Sequence, residues 1–169
     1  MRTHLFKRLL LCASATLVVA GCSPAYNWRN FSSSDAPFSV MFPDKPSVHT
    51  REIDIDGMKV SMTMTAAQVE GTTFAVGSAQ APDAAQARAA LAGMKTALVK
   101  NIGATVRSEK AAGDGIDIDA VGMQKGTPMR LVAHFEARDK RFYQVIIMGP
   151  EKTITKENVE MFMSSFKLQ

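Results

Sequence analysis

Ile53-Asp54-Ile55-Asp56-Gly57-Met58-Lys59-Val60-Ser61-Met62-Thr63-Met64-Thr65, residues 53–65, decides the class of fold. Ile53 and Ile55 alternate with Asp54 and Asp56, the period of two that a half-buried strand shows. Asp56-Gly57 then offers the positive φ that a two-residue hairpin turn needs. The return strand sets Met58, Val60, Met62 and Met64 on one face and Ser61, Thr63 and Thr65 on the other. An antiparallel hairpin with one apolar face is therefore expected here.

Further strands are expected on both sides of it. Phe38–Phe42 is a short apolar run stopped by Pro43 and Pro46, and Thr72–Ala79 is another strand. Pro82 breaks the pattern and Asp83 is a good N-cap for an alanine-rich helix. Ala87, Leu91, Met94, Leu98 and Ile102 fall on one stripe of that helix, and Gly103 is placed to end it. Four strands follow at Ala104–Lys110, Ile116–Val121, Met129–Ala137 and Phe142–Met148, the last stopped by Gly149-Pro150. A closing helix starts near Thr155, with Glu157 where the helix dipole favours an acid. Its stripe of Val159, Phe162, Met163 and Phe166 is spaced to dock on a sheet. The expected class is α+β, a mainly antiparallel sheet of about seven or eight strands covered by two helices. The order of strands, helix, strands, helix hints at pseudo-symmetry, but the halves share no residue pattern.

The front of the chain has another logic. Arg2, Lys7 and Arg8 precede an apolar run of twelve residues, Leu9–Ala20, interrupted only by Ser14 and Thr16. That layout is a secretory signal; a membrane-spanning helix needs roughly 20 apolar residues. Val19-Ala20-Gly21-Cys22 closely resembles the bacterial lipobox. The resemblance implies a signal peptide over 1–21, cleavage between Gly21 and Cys22, diacylglycerol on the Cys22 sulfur and acylation of the freed amine. One acyl chain anchors reversibly, whereas two or more anchor stably. Ser23 at the second mature position resembles the residue of lipoproteins sent to the outer membrane, facing the periplasm.

Cleavage would leave 148 of the 169 residues, the size of one domain. Of the two cysteines, Cys12 would leave with the signal and Cys22 would carry lipid, so no disulfide could form within a mature chain. The net charge of +4 falls too: three of the twenty Lys and Arg precede Cys22 and no acid does, leaving 17 basic against 16 acidic residues, a balance of +1. This gives no electrostatic case for nucleic acid. The expected organisation is a lipidated tether over 22–36 and a single domain over 37–169. Phe31 is expected to pack on the domain; Tyr26 and Trp28 either pack back or sit in the lipid interface.

Phe38-Ser39-Val40-Met41-Phe42-Pro43 and Phe162-Met163-Ser164-Ser165-Phe166, with the element order across 36–168, resemble the ends of PsbP-like domains found in small bacterial lipoproteins. That resemblance implies binding of other proteins or a role as an assembly factor, and maps no functional residue onto this chain.

Chemistry-bearing residues are sparse. His49 and His134 each stand alone, no Gly-x-Ser-x-Gly elbow is present, Ser32–Ser34 lie in the tether and Ser164-Ser165 on a helix. A nucleophile with an oriented base is the minimum for covalent catalysis, so a non-enzymatic protein is expected. Methionine is the compositional oddity, with eleven in all. Thioethers select soft metals such as Cu(I), so Met58, Met62 and Met64 offer an alternative, a copper or small-ligand site, against a simpler role as core filler. Residues 113–119 (GDGIDID) lack the calcium-loop order of acids and read as a strand leaving a glycine turn. Arg138, Lys140 and Arg141 read as a solvated hairpin tip. The expected function is membrane attachment plus binding of an envelope protein, in assembly or maintenance, with no cofactor beyond the lipid on Cys22.

Overall fold

A computed structural model describes residues 25–169; the expected signal peptide over 1–21, the expected cleavage between Gly21 and Cys22 and the expected lipidation of Cys22 lie outside the described residues. The hairpin forms as its residues require. β3 (Ser47–Ile55) and β4 (Met58–Val69) pair antiparallel, with Ile55 opposite Met58. Asp56 and Gly57 take φ of 50° and 89°, the left-handed values whose twist matches the flanking strands. Asp54 Oδ1 accepts the Gly57 N–H at 2.6 Å and closes the turn.

Preceding these are β1 (Arg29–Ser32) and β2 (Phe38–Phe42). Following them are β5 (Thr72–Gln80), α1 (Ala84–Asn101), β6 (Thr105–Ala112), β7 (Gly115–Gln124), β8 (Thr127–Arg138) and β9 (Arg141–Pro150). A 3-10 turn (Glu151–Thr153), α2 (Lys156–Ser165) and β10 (Lys167–Leu168) complete the described chain. All strand pairings are antiparallel. The protein is α+β, with a seven-stranded sheet ordered β3-β4-β5-β9-β8-β7-β6 and a three-stranded sheet ordered β1-β2-β10.

Alternation along the strands divides the core in two. On one face Val60, Met62, Ala75, Phe135 and Ile146 pack against Leu91 and Met94 of α1. On the other, Phe74, Val76, Val145 and Ile147 pack against Phe162 of α2 and against Phe38, Val40 and Phe42 of β2. β5 and β9, central and covered on both faces, are therefore buried almost throughout. Close approach has its own demand at Gly77: a Cβ there would meet Met64 Sδ at 2.7 Å and Gln144 Nε2 at 2.8 Å.

Two expectations are corrected. The strand at Phe38–Phe42 does not join the main sheet. Pro43 and Pro46 interrupt any ladder between β2 and β3, and β2 instead becomes the centre of the small sheet, which with α2 covers the face opposite α1. Within the stretch expected as a tether, residues 29–32 instead form a strand, β1, which pairs with β2 from Arg29 opposite Phe42 to Ser32 opposite Ser39. Phe31 packs on Phe42 at 5.7 Å between ring centroids, as expected. Tyr26 and Trp28 also pack, edge-on to Phe74 at 6.2 and 5.8 Å. A four-residue edge strand needs only one inward apolar side chain, here Phe31, and its exposed Arg29, Asn30 and Ser32 disguise it as a linker.

Candidate functional site

On the sheet face that α2 partly covers, β7 and β8 carry polar side chains at alternate positions. Their register sets Asp117 directly opposite His134. His134 Nδ1 lies 2.6 Å from Asp117 Oδ1, and its Nε2 lies 3.2 Å from Glu136 Oε2. Both contacts are hydrogen bonds only when both ring nitrogens carry a proton. The Phe166 ring stands 6.3 Å from the imidazole, centroid to centroid. The His134 side chain is 19% exposed and that of Asp117 54%, so the carboxylate is the more accessible group.

One step along β7, Asp119 receives a two-point contact from Arg130: Nε to Oδ1 at 3.2 Å and Nη2 to Oδ2 at 2.7 Å. Arg130 Nη1 also donates to the Ile154 carbonyl at 3.4 Å, so the guanidinium straps the sheet to the segment that leads into α2. The hydrogen bond to Asp119 raises the Arg130 pKa, in a half-buried setting that opposes it. A forked pair of this kind fixes geometry as well as charge.

Between these strands and α2 lies a cleft of about 530 Å³. Val159, Met163 and Phe166 form its apolar wall, and Asp117, His134 and Glu136 its polar floor. Local sequence explains the wall. Thr155 caps α2 by accepting the Asn158 N–H at 3.2 Å, and Phe162 is anchored between Phe42 and Phe74, at 5.5 and 5.4 Å. Val159 and Met163, four residues apart on the helix, line the cleft, and Phe166, in extended backbone just past the helix end, stands over His134. Ser165 Oγ receives the Met41 N–H at 3.0 Å and donates to the Phe162 carbonyl at 2.7 Å, tying the helix end to β2.

The singled-out residues separate clearly. His134 is in the cleft; His49 is exposed on the edge strand β3, opposite Met64. Ser108 and Ser164 line the cleft, yet both nitrogens of His134 face carboxylates and neither faces a hydroxyl. Met62 is 2% exposed beneath α1, and Met58 and Met64 pack partly against the same cluster. The Met64 sulfur further accepts a hydrogen bond from Gln144 Nε2 at 3.4 Å. The three thioethers therefore share a core rather than an open face. Asp117 and Asp119, in the 113–119 segment, point to His134 and Arg130, and among the described residues no group of three His, Cys, Asp or Glu is placed to hold a metal.

Asp117, Glu136, Asp119 and Arg130 were not singled out from the sequence as a site. Their signal was the polar alternation of β7 and β8. Only the pairing register shows that Asp117 meets His134, and that Asp119 meets Arg130.

No family model and no curated protein matches the chain. Among solved structures, a crystal structure from Bacteroides thetaiotaomicron aligns at 14% identity and a TM-score of 0.43, covering 83% of this chain and 48% of that one. This chain thus spans about half the length of that protein, and an overlap so loose assigns nothing to it.

Proposed function

We propose that the chain is an envelope lipoprotein without catalytic activity, anchored through lipid on Cys22 after cleavage behind Gly21, and facing the periplasm from the outer membrane. Its α+β domain binds an envelope protein, in assembly or maintenance, and the cleft beneath α2 is the binding face. The observation that carries the binding role is the occupation of His134. With a carboxylate on each ring nitrogen, the imidazole braces the cleft floor and has no free nitrogen to activate a serine. The apolar wall of Val159, Met163 and Phe166 beside the half-exposed Asp117 suits a segment with apolar side chains and a basic one.

The similarity to PsbP-like domains at Phe38–Pro43 and Phe162–Phe166 supports the same role. The front of the chain supports the anchor. Because Tyr26 and Trp28 are already docked, only residues 22–25 would separate the lipid from the packed domain, at most about 13 Å of extended chain. The domain would then sit against the membrane surface. Among the described residues no helix is long and apolar enough to cross a membrane.

Labelling cells with a radioactive fatty acid tests the anchor, with mass spectrometry of the N-terminal peptide. The wild-type chain should carry label and begin at an acylated Cys22, and Cys22→Ser should lose both. An unlabelled chain that retains residues 1–21 would overturn the proposal.

A further inference from the structure

A second recess lies on the same sheet face, at the tip of the β8–β9 hairpin. Arg138 stands directly opposite Arg141 in the ladder, and Gln80 of β5 stands opposite Arg141 on its other side. These three side chains form one row, and Tyr143 lies in the row behind, opposite Ser78 and Glu136. Like charges facing across a ladder repel. Among the described residues neither Arg138, Lys140 nor Arg141 has an ion-pair partner to relieve that repulsion.

The three cations instead border a recess of about 560 Å³ whose other walls include Pro37, Tyr143 and Gln169. The walls are held. The Lys140 carbonyl accepts the Ala81 N–H at 2.8 Å, pinning the tip to the segment before α1, and the Gln169 N–H donates to the Pro37 carbonyl at 2.8 Å. Tyr143 is 1% exposed. Burial raises its pKa; Arg141 and Arg138 oppose that rise, while Glu136 and Asp139 add to it, so its hydroxyl lies within reach of all four charges. Asp139 is the one acidic side chain in the lining, and it is exposed.

We propose that this recess binds an oxyanion, specifically a phosphoryl group. Two guanidinium forks side by side match paired oxygens at fixed spacing. Three cations against the single carboxylate of Asp139 leave a net balance of +2 in the lining, with Lys140 also acting on Asp83, which suits the double charge of a phosphate better than the single charge of a carboxylate. The amide of Gln80 and the hydroxyl of Tyr143 supply uncharged donors to the remaining oxygens. The ligand relieves the repulsion between Arg138 and Arg141, so the free protein holds this row at a cost that binding removes. The site is separate from the cleft and does not depend on the lipid anchor.

Calorimetric titration of the full chain in detergent at low salt, with inorganic phosphate and then pyrophosphate, tests this. Saturable binding is expected, weakened at least tenfold by the double variant Arg138→Gln/Arg141→Gln and several-fold by Lys140→Gln. Arg88→Gln, on an exposed turn of α1, should leave it unchanged. Phosphate should raise the wild-type Tm, and the double variant should show no such rise while its ligand-free Tm stays equal or higher. Nanodiscs of neutral phospholipid with and without phosphatidylglycerol separate the sources. Preference for the anionic discs through the same arginines assigns a lipid phosphate; pyrophosphate binding without that preference assigns a soluble one. No saturable binding of any of these probes, or binding indifferent to Arg138 and Arg141, would overturn the proposal.

Discussion

Replacing Phe162 by alanine should dismantle the half of the core that holds the cleft. Phe162 is 0% exposed and touches Phe42 and Phe74 at centroid distances of 5.5 and 5.4 Å. Burying a phenylalanine and leaving a cavity when it is removed makes Phe→Ala worth about 3–5 kcal/mol, and two aromatic pairs push toward the upper end. The domain as a whole should have about 5–15 kcal/mol of stability, so a loss of about 4 kcal/mol is a large share. At roughly 2–4 °C per kcal/mol for a domain of this size, Tm should fall by about 8–16 °C. Urea unfolding followed by Trp28 fluorescence suits the measurement, because Trp28 packs on Phe74 beside Phe162. Phe162→Leu keeps most of the volume and should cost less than half as much. A loss below about 1 kcal/mol for Phe162→Ala, with an unchanged urea slope, would refute the two-sided core.

Three further outcomes follow from the same contacts. Arg130→Ala should destabilise the domain by about 2 kcal/mol in urea unfolding, because it strands Asp119 half-buried and cuts the strap to Ile154; Arg130→Lys should recover little, since an ammonium cannot make the fork. Gly77→Ala should cost about 1–3 kcal/mol through overpacking against Met64 and Gln144, and a Met64→Ala replacement in the same chain should return part of it. Burial raises the pKa of Tyr26 and of Tyr143 above the ordinary 10.0. Both are neutral when protonated, so their contribution is complete below pH 10 and is lost as pH rises through the raised values. The Tm should therefore fall above pH 10, and fall less in Tyr143→Phe.

Elements whose pattern is local were legible in the sequence. The turn at Asp56-Gly57 and the Asp83 cap of α1 each depend on residues a few positions apart, and both formed; the stripe of α2 formed through Val159, Phe162 and Met163, while Phe166 falls just past the helix end. The second sheet was not legible, because β10 is two residues long and β1 has one inward apolar residue, Phe31. Neither carries a periodicity of its own; both exist because β2 offers open edges. The cleft was hidden for a related reason. Asp117 and His134 are 17 residues apart, and only the β7–β8 register brings them together, with the residue after α2, Phe166, over the imidazole. His134 therefore read as a lone histidine. The methionines of β4 were ambiguous because a strand pattern fixes a face without saying what covers it, and α1 covers this one.

Site-specific photo-crosslinking in living cells tests the binding account most directly. A photoreactive residue replaces Ser164 or Lys110 at the cleft, and Arg88 on the far side of the domain. The account predicts one reproducible adduct with an envelope protein from the two cleft positions, none from Arg88, and loss of the adduct in Asp117→Arg chains that still fold. Equal labelling from Arg88, or no adduct from either cleft position in a correctly anchored chain, would contradict it.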